Sequence, residues 1–112
     1  MTIRYKSDTF NLTNTDLTTV LTCPSTGTII IKAVQAVHNT ASNVDTDLYI
    51  RKNGAGSDVQ ISHEQINKET NNLISNSLNL EPGDILKLQA STGNEISGII
   101  SYALIDRSQE NG

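Results

Sequence analysis

Apolar and polar residues alternate along this chain in short runs, and clusters of Gly, Pro, Asn and Ser separate the runs. Alternation with a period of two sends successive side chains to opposite faces of a strand. The clearest case covers 44–51, with Val44, Leu48 and Ile50 on one face and Asp45, Asp47, Tyr49 and Arg51 on the other. A second covers 85–91. Leu86, Leu88 and Ala90 oppose Lys87, Gln89 and Ser91, and Ile85 is the one residue out of pattern. A third covers 95–106, placing Ile96, Ile100, Tyr102 and Leu104 against Ser97, Ile99, Ser101, Ala103 and Ile105. The run 28–39 is apolar on both faces: Ile29, Ile31, Ala33 and Val37 share one, Ile30, Val34 and Ala36 the other. Such a strand is central, or it passes from one packing surface to another. Shorter β-like runs fall at 18–22, at 59–66 with Val59 and Ile61 on one side, and at 73–80, a broken strand. Residues 63–70 also fit a short helix.

Turn chemistry punctuates these runs. Pro24 stops the first because it denies a sheet ladder its N–H. Asn53-Gly54 and Gly56 tolerate positive φ between the runs at 44–51 and 59–66. At the Pro82-Gly83-Asp84 corner, Pro82 presets φ, Gly83 supplies the positive φ of a type II turn, and Asp84 can bond the freed backbone groups. Seven to nine short strands with regular turns, and no stretch of amphipathic helix between them, give an all-β fold. The expected architecture is a single-domain antiparallel β-sandwich, jelly-roll or Ig-like, over 1–112, with an N-terminal arm at 1–9 and a polar tail at 107–112. Its core should bring together Ile31, Leu48, Ile50, Leu86, Leu88, Ile100 and Leu104 between two sheets.

Composition narrows the function. The chain has 112 residues and a net charge of −4, with four aromatic residues in all. An acidic chain with no longer basic pairing than Arg51-Lys52 lacks the stripe of a nucleic-acid binder. No apolar run reaches the roughly 20 residues of a membrane-spanning helix, and the first residues do not read as a signal peptide, so synthesis in the cytoplasm is the expectation. A lone cysteine, Cys23, precludes an intrachain disulfide and reads as a small buried apolar residue.

The candidate chemistry is thin. Asp45, Asp47 and Asp58 are the best metal candidates, but their spacing is not that of a calcium loop, and charges of this kind commonly blunt sheet edges. Gly54 and Gly56 form a Gly-x-Gly without the glycine or lysine that phosphate loops require. His63 and Glu64 are neighbours and would point to opposite faces of a strand. Glu64 and Glu69 make no better pair. Neither His38 nor His63 is brought near Cys23 by anything local. The Asn-Leu-Thr at 11–13 is a glycosylation sequon only if the chain is secreted. The expectation is no metal, no cofactor and no catalytic site.

The segments "TTVLTCPSTGTIIIKAVQAVHNT", "VDTDLYIRKNG", "LNLEPGDILKLQAS" and "ISGIISYALID" together resemble small virion structural proteins of tailed bacteriophages, of the kind found in cyanophages. The matching corners fall on Pro24, Gly27, Asn39, Thr40, Leu80, Pro82, Gly83, Asp84 and Leu86. The resemblance covers about residues 10–106 and rests on structural corners, which other β-sandwiches share. It implies a non-enzymatic virion component synthesised in the host cytoplasm. The expected role is a capsid decoration or cement protein, with a neck, tail or baseplate accessory as the alternative. A carbohydrate-binding module is a further alternative, but only Tyr49 reads as a solvated aromatic. Partners would be the chain itself and other virion proteins such as the major capsid protein, not nucleic acid or membrane. Runs apolar on more than one face call for cover by neighbouring strands or by another subunit, and open sheet edges invite pairing, so a homo-oligomer is expected, a trimer above all. Ile30 and Ile99 are the candidate contact residues.

Overall fold

A computed structural model describes residues 2–38, 44–66, 71–74 and 76–107. They form nine strands: β1 (Thr2–Leu12), β2 (Thr18–Thr22), β3 (Gly27–His38), β4 (Val44–Arg51), β5 (Val59–Ile66), β6 (Asn71–Asn72), β7 (Leu78–Leu80), β8 (Ile85–Ala90) and β9 (Ile96–Asp106). One sheet runs β1-β9-β3-β6, with β7 also on β3; the other runs β2-β8-β4-β5. Every pairing is antiparallel. If the short β6 and β7 are taken as one broken strand, the chain changes sheet at every step but one, the β4–β5 hairpin, and the last strand lies between the first and the third. That is the double Greek key of a jelly roll, which resolves the choice left open by the sequence.

The core fills the space between the sheets. Ile31 and Ile100 on one sheet meet Leu48, Leu86 and Leu88 on the other, all fully buried. Ile50 and Leu104 pack against this cluster and are half-buried, near its margin. In β8 the register follows the alternation read from the sequence, with Leu86, Leu88 and Ala90 inward and Lys87 and Gln89 outward. The corner before it has the expected geometry. Gly83 has φ +84°, and the Asp84 N–H donates to the Glu81 carbonyl at 3.0 Å, closing a turn with Pro82 and Gly83 at its centre.

Two expectations need correction. In β3 the pairing with β9 shifts between Ile31 and Ala33. The extra residue, Lys32, is a bulge. Before it Ile29 and Ile31 face the core; after it Val34, Ala36 and His38 do, so Ala33 and Val37 are not core residues. Alternation could not reveal this, because both phases of the run are apolar. Residues 2–12 are no arm. They pair with β9 along their whole length, from Thr2 opposite Asp106 to Leu12 opposite Ile96. The run 59–66 is strand throughout, as its extended pattern indicated, so the short helix that 63–70 also fits does not form over 63–66. Residues 67–70, the loop at 39–43 and the tail at 108–112 lie outside the described residues.

Candidate interaction surfaces

The corner residues Pro82, Gly83 and Asp84 form a structural lock. The Asp84 carboxylate is buried and accepts hydrogen bonds from the backbone N–H of Glu81 and of Asn53, both at 2.9 Å, and from Lys52 Nζ. Burial pushes its carboxyl pKa up, but Lys52 and the two N–H groups outweigh this and hold it below the ordinary carboxylate value. The main chain of the corner is tied to the end of β2. The Cys23 N–H donates to the Asp84 carbonyl at 2.9 Å, and the Gly83 N–H to the Cys23 carbonyl at 3.1 Å. A side chain at Gly83 would place its Cβ 2.5 Å from Asn53 Cγ. Three distant segments, the end of β2, the β4–β5 turn and the β7–β8 turn, are thereby locked together.

The acidic residues do not converge as a cluster of three. Asp58 is held by Lys87 at 3.1 Å. Asp47 instead contacts His63 Nδ1 across the β4–β5 ladder. That bond, chiefly, raises the pKa of the exposed His63, and the charges of Asp47, Asp45 and Glu64 add to it. Among the described residues no group of three His, Cys, Asp or Glu side chains is arranged to hold a metal. Cys23 is buried, its thiol near the carbonyls of Gly27 (3.4 Å) and Leu80 (3.5 Å), and burial pushes its pKa up, away from a reactive thiolate. Buried His38 contacts Glu95 at 3.2 Å. Tyr102 donates to Asp8 at 2.9 Å, and burial, then this bond, push its phenol up to about 12. These contacts tie strands together, and none of them sets a nucleophile beside a base.

What the structure does build is two unlike outer faces. Side chains directly opposite in a ladder share a face. On the outside of the first sheet one row therefore joins Tyr5, Ala103 and Ile30, and the next joins Ile3, Ile105 and Thr28. Further along come Ser7, Ser101 and Ala33, then Thr9, Ile99 and Gln35, then Asn11, Ser97 and Val37. No charged side chain occurs in these five rows; among the described residues of the three strands, Lys32, in the bulge, brings one to this face. Ile30 and Ile99 both lie here, half-buried, with Ile30 inside the apolar end and Ile99 two rows away. The outside of the second sheet, by contrast, carries Asp45, Asp47, Arg51, His63 and Lys87.

Four large hydrophobic side chains are exposed among the described residues: Ile3 at 53%, Tyr5 at 82%, Val59 at 58% and Ile61 at 41%. The first pair crowns the apolar end of the uncharged face. The second lies on β5, the edge of the other sheet, where Ile61 borders a groove of about 460 Å³ that also touches Leu73, Ile74 and Leu78. The sequence pointed to neither patch. Tyr49, expected on a solvated face, is half-buried, and Tyr5 is the aromatic that stands free. The available signal was the alternation of Ile3 and Tyr5 with Arg4 and Lys6, which marks a strand but not which face is inward.

No protein-family model matches the chain, and no curated protein matches its sequence. Solved structures do match its fold. A chain of the acidic stable capsid structure of Helicobacter pylori bacteriophage KHP30 superposes with a TM-score of 0.57 at 8% identity, covering 96% of this chain and 90% of that one. A chain of Bacillus endospore appendages, which form a family of disulfide-linked pili, superposes with a TM-score of 0.52 at 8% identity, covering 95% and 88%.

Proposed function

We propose that this protein is a non-enzymatic structural component of a bacteriophage virion, docked on the particle as a capsid decoration or cement protein. The observation that carries this reading is the superposition, over nearly the whole of both chains, on a chain of a phage capsid structure. Jelly rolls recur in viral capsid domains, though lectins and cupins use them too. The rest of the molecule fits a role in assembly. Its polar and ionic contacts bind strands to one another, and its exposed apolar residues sit in two compact patches, one of them beside a groove. Large exposed apolar patches mark protein contacts. The resemblance of the sequence to small phage virion structural proteins points the same way. A glycan-binding module is less well supported, since Tyr5 stands free without a second exposed aromatic beside it. A tail or neck accessory is the second reading, favoured by the superposition on a chain of a fibrous surface appendage.

The test is fractionation of a phage lysate from the protein's source on a density gradient. The chain should band with intact particles and survive a high-salt wash, because an uncharged contact face is not screened by salt. Localisation by labelled antibody then separates capsid from tail. Recovery only in the soluble fraction would refute a virion role.

A further inference from the structure

An open sheet edge pairs with other chains unless it is short, bulged, charged or covered. Four edges bound the two sheets, and among the described residues three are blunted. β2 has five residues and a bulge at Val20, β5 has a bulge at Ile61, and β6 and β7 are pieces of two and three residues. The fourth edge is β1. It runs eleven residues, contains no proline, and keeps one register with β9 from end to end. From Ile3 to Ser7 it is exposed on both faces.

The free backbone groups of this edge fall on odd-numbered residues. The Arg107 N–H donates to the Thr26 carbonyl at 2.9 Å, so odd residues of β9 turn their backbone groups to β3 and even residues turn theirs to β1. Even residues of β1 stand opposite even residues of β9, which leaves the N–H and C=O of Ile3, Tyr5, Ser7, Thr9 and Asn11 aimed at the open edge. A second β1 laid antiparallel along it must therefore set odd residues against odd ones. Two conditions then choose the same register. Ser7 is the midpoint of β1, so a two-fold axis there pairs the strand over its whole length, in five pairs that each exchange two backbone bonds, about ten in all. The same axis sets Lys6 opposite Asp8 of the second copy, and Asp8 opposite its Lys6. An axis at Lys6 or Asp8 would set that residue against its own copy, and one at Tyr5 would set Arg4 against Lys6. Exposed ion pairs add little affinity, but opposite charges fix a register and like ones oppose it. Asp8 is held at this edge by the Tyr102 hydroxyl at 2.9 Å. Beneath it, a groove of about 400 Å³ between β1 and β2, lined in part by Lys6 and Asp8, leaves room for the second copy's side chains. On the outer face Tyr5 comes opposite Thr9, an aromatic against a β-branched residue.

We infer that two copies of this chain join edge to edge through β1, about a two-fold axis at Ser7, so that their first sheets become one continuous sheet. A pair closes this contact, where the sequence suggested a trimer, and Ile30 and Ile99 lie outside it, on β3 and β9. The inference is independent of the virion reading, since the dimer forms without any particle to bind.

Sedimentation at micromolar concentration, with each variant's melting curve as the control for folding, tests it. The wild-type protein should run at twice the 12.1 kDa chain mass. Ser7→Pro removes an N–H that a single chain leaves free, so it should keep the fold and halve the mass. Lys6→Asp and Asp8→Lys each set like charges across the axis, and each should run as a monomer. Mixed in equal amounts they restore both opposite pairs and should run as a heterodimer. Oxidised Ser7→Cys should form a disulfide-linked dimer, because residues directly opposite in such a pair lie about 5.5 Å apart at Cα, within disulfide reach. Thr9→Cys, four residues out of line with its own copy, should not. A wild-type mass other than the dimer's, a folded Ser7→Pro protein that stays dimeric, a mixture no heavier than its components, or Thr9→Cys linking as readily as Ser7→Cys would each overturn the proposal.

Discussion

Asp84 shows most directly how single residues hold this fold. Its carboxylate is buried and its folded pKa lies below the ordinary value of 3.8. A group depressed in this way contributes stability that is fully present above the unfolded value and is lost as pH falls through the folded one. Asp84→Asn should therefore cost about 2–3 kcal/mol at neutral pH, the scale of hydrogen bonds to a charged group. The gap to wild type should narrow below about pH 4, as followed by thermal melts across pH. Gly83→Val should cost at least about 1–2 kcal/mol, because a β-branched residue resists a φ of +84° and its Cβ would strike Asn53. An unchanged melting temperature would contradict the turn geometry. Thr46 is the opposite case. Its hydroxyl is fully buried without a hydrogen-bond partner among the described residues, so Thr46→Val should raise stability by about 1 kcal/mol in a denaturant titration.

Among the elements, β8 and β3 show what a sequence can and cannot reveal. In β8 the polar face is polar at Lys87 and Gln89, so only one phase buries Leu86 and Leu88, and the register was legible. Leu88→Ala should cost about 2–5 kcal/mol, because it empties a site with no exposure. In β3 both phases are apolar, and a bulge at Lys32 switches from one to the other without leaving a break in the pattern. β1 was missed for a related reason. Ile3 and Tyr5 lie in one phase and Phe10 and Leu12 in the other, so no single alternation runs through it. Structure explains the shift: Phe10 and Leu12 pack inward, while Ile3 and Tyr5 stay outside. Gly98 gave no signal at all. It stands opposite Phe10 in the β1–β9 ladder, and a Cβ there would lie 2.0 Å from the Gln35 carbonyl oxygen and 2.6 Å from the Phe10 ring. Gly98→Ala should lower the melting temperature more than Leu88→Ala does, since the obstacle is backbone.

For the whole molecule, the strand spacing and turn residues sufficed to place the chain among antiparallel sandwiches, because each strand needs its own turn and half-buried face. Strand order did not follow from the pattern, since every sandwich shares it; the pairing of β9 between β1 and β3 was needed to identify a jelly roll. The surfaces were less legible still. Ile30 and Ile99 were singled out as residues on the less apolar side of their strands, and both do lie on the outer face. The patches that expose the most apolar surface are instead on the edge strands β1 and β5. The proposed virion role is tested most directly by the composition of phage particles purified to homogeneity from the protein's source. Quantitative mass spectrometry should find this chain in a fixed ratio to the major capsid protein, unchanged through successive gradient purifications. A ratio that falls toward zero with each purification would contradict it.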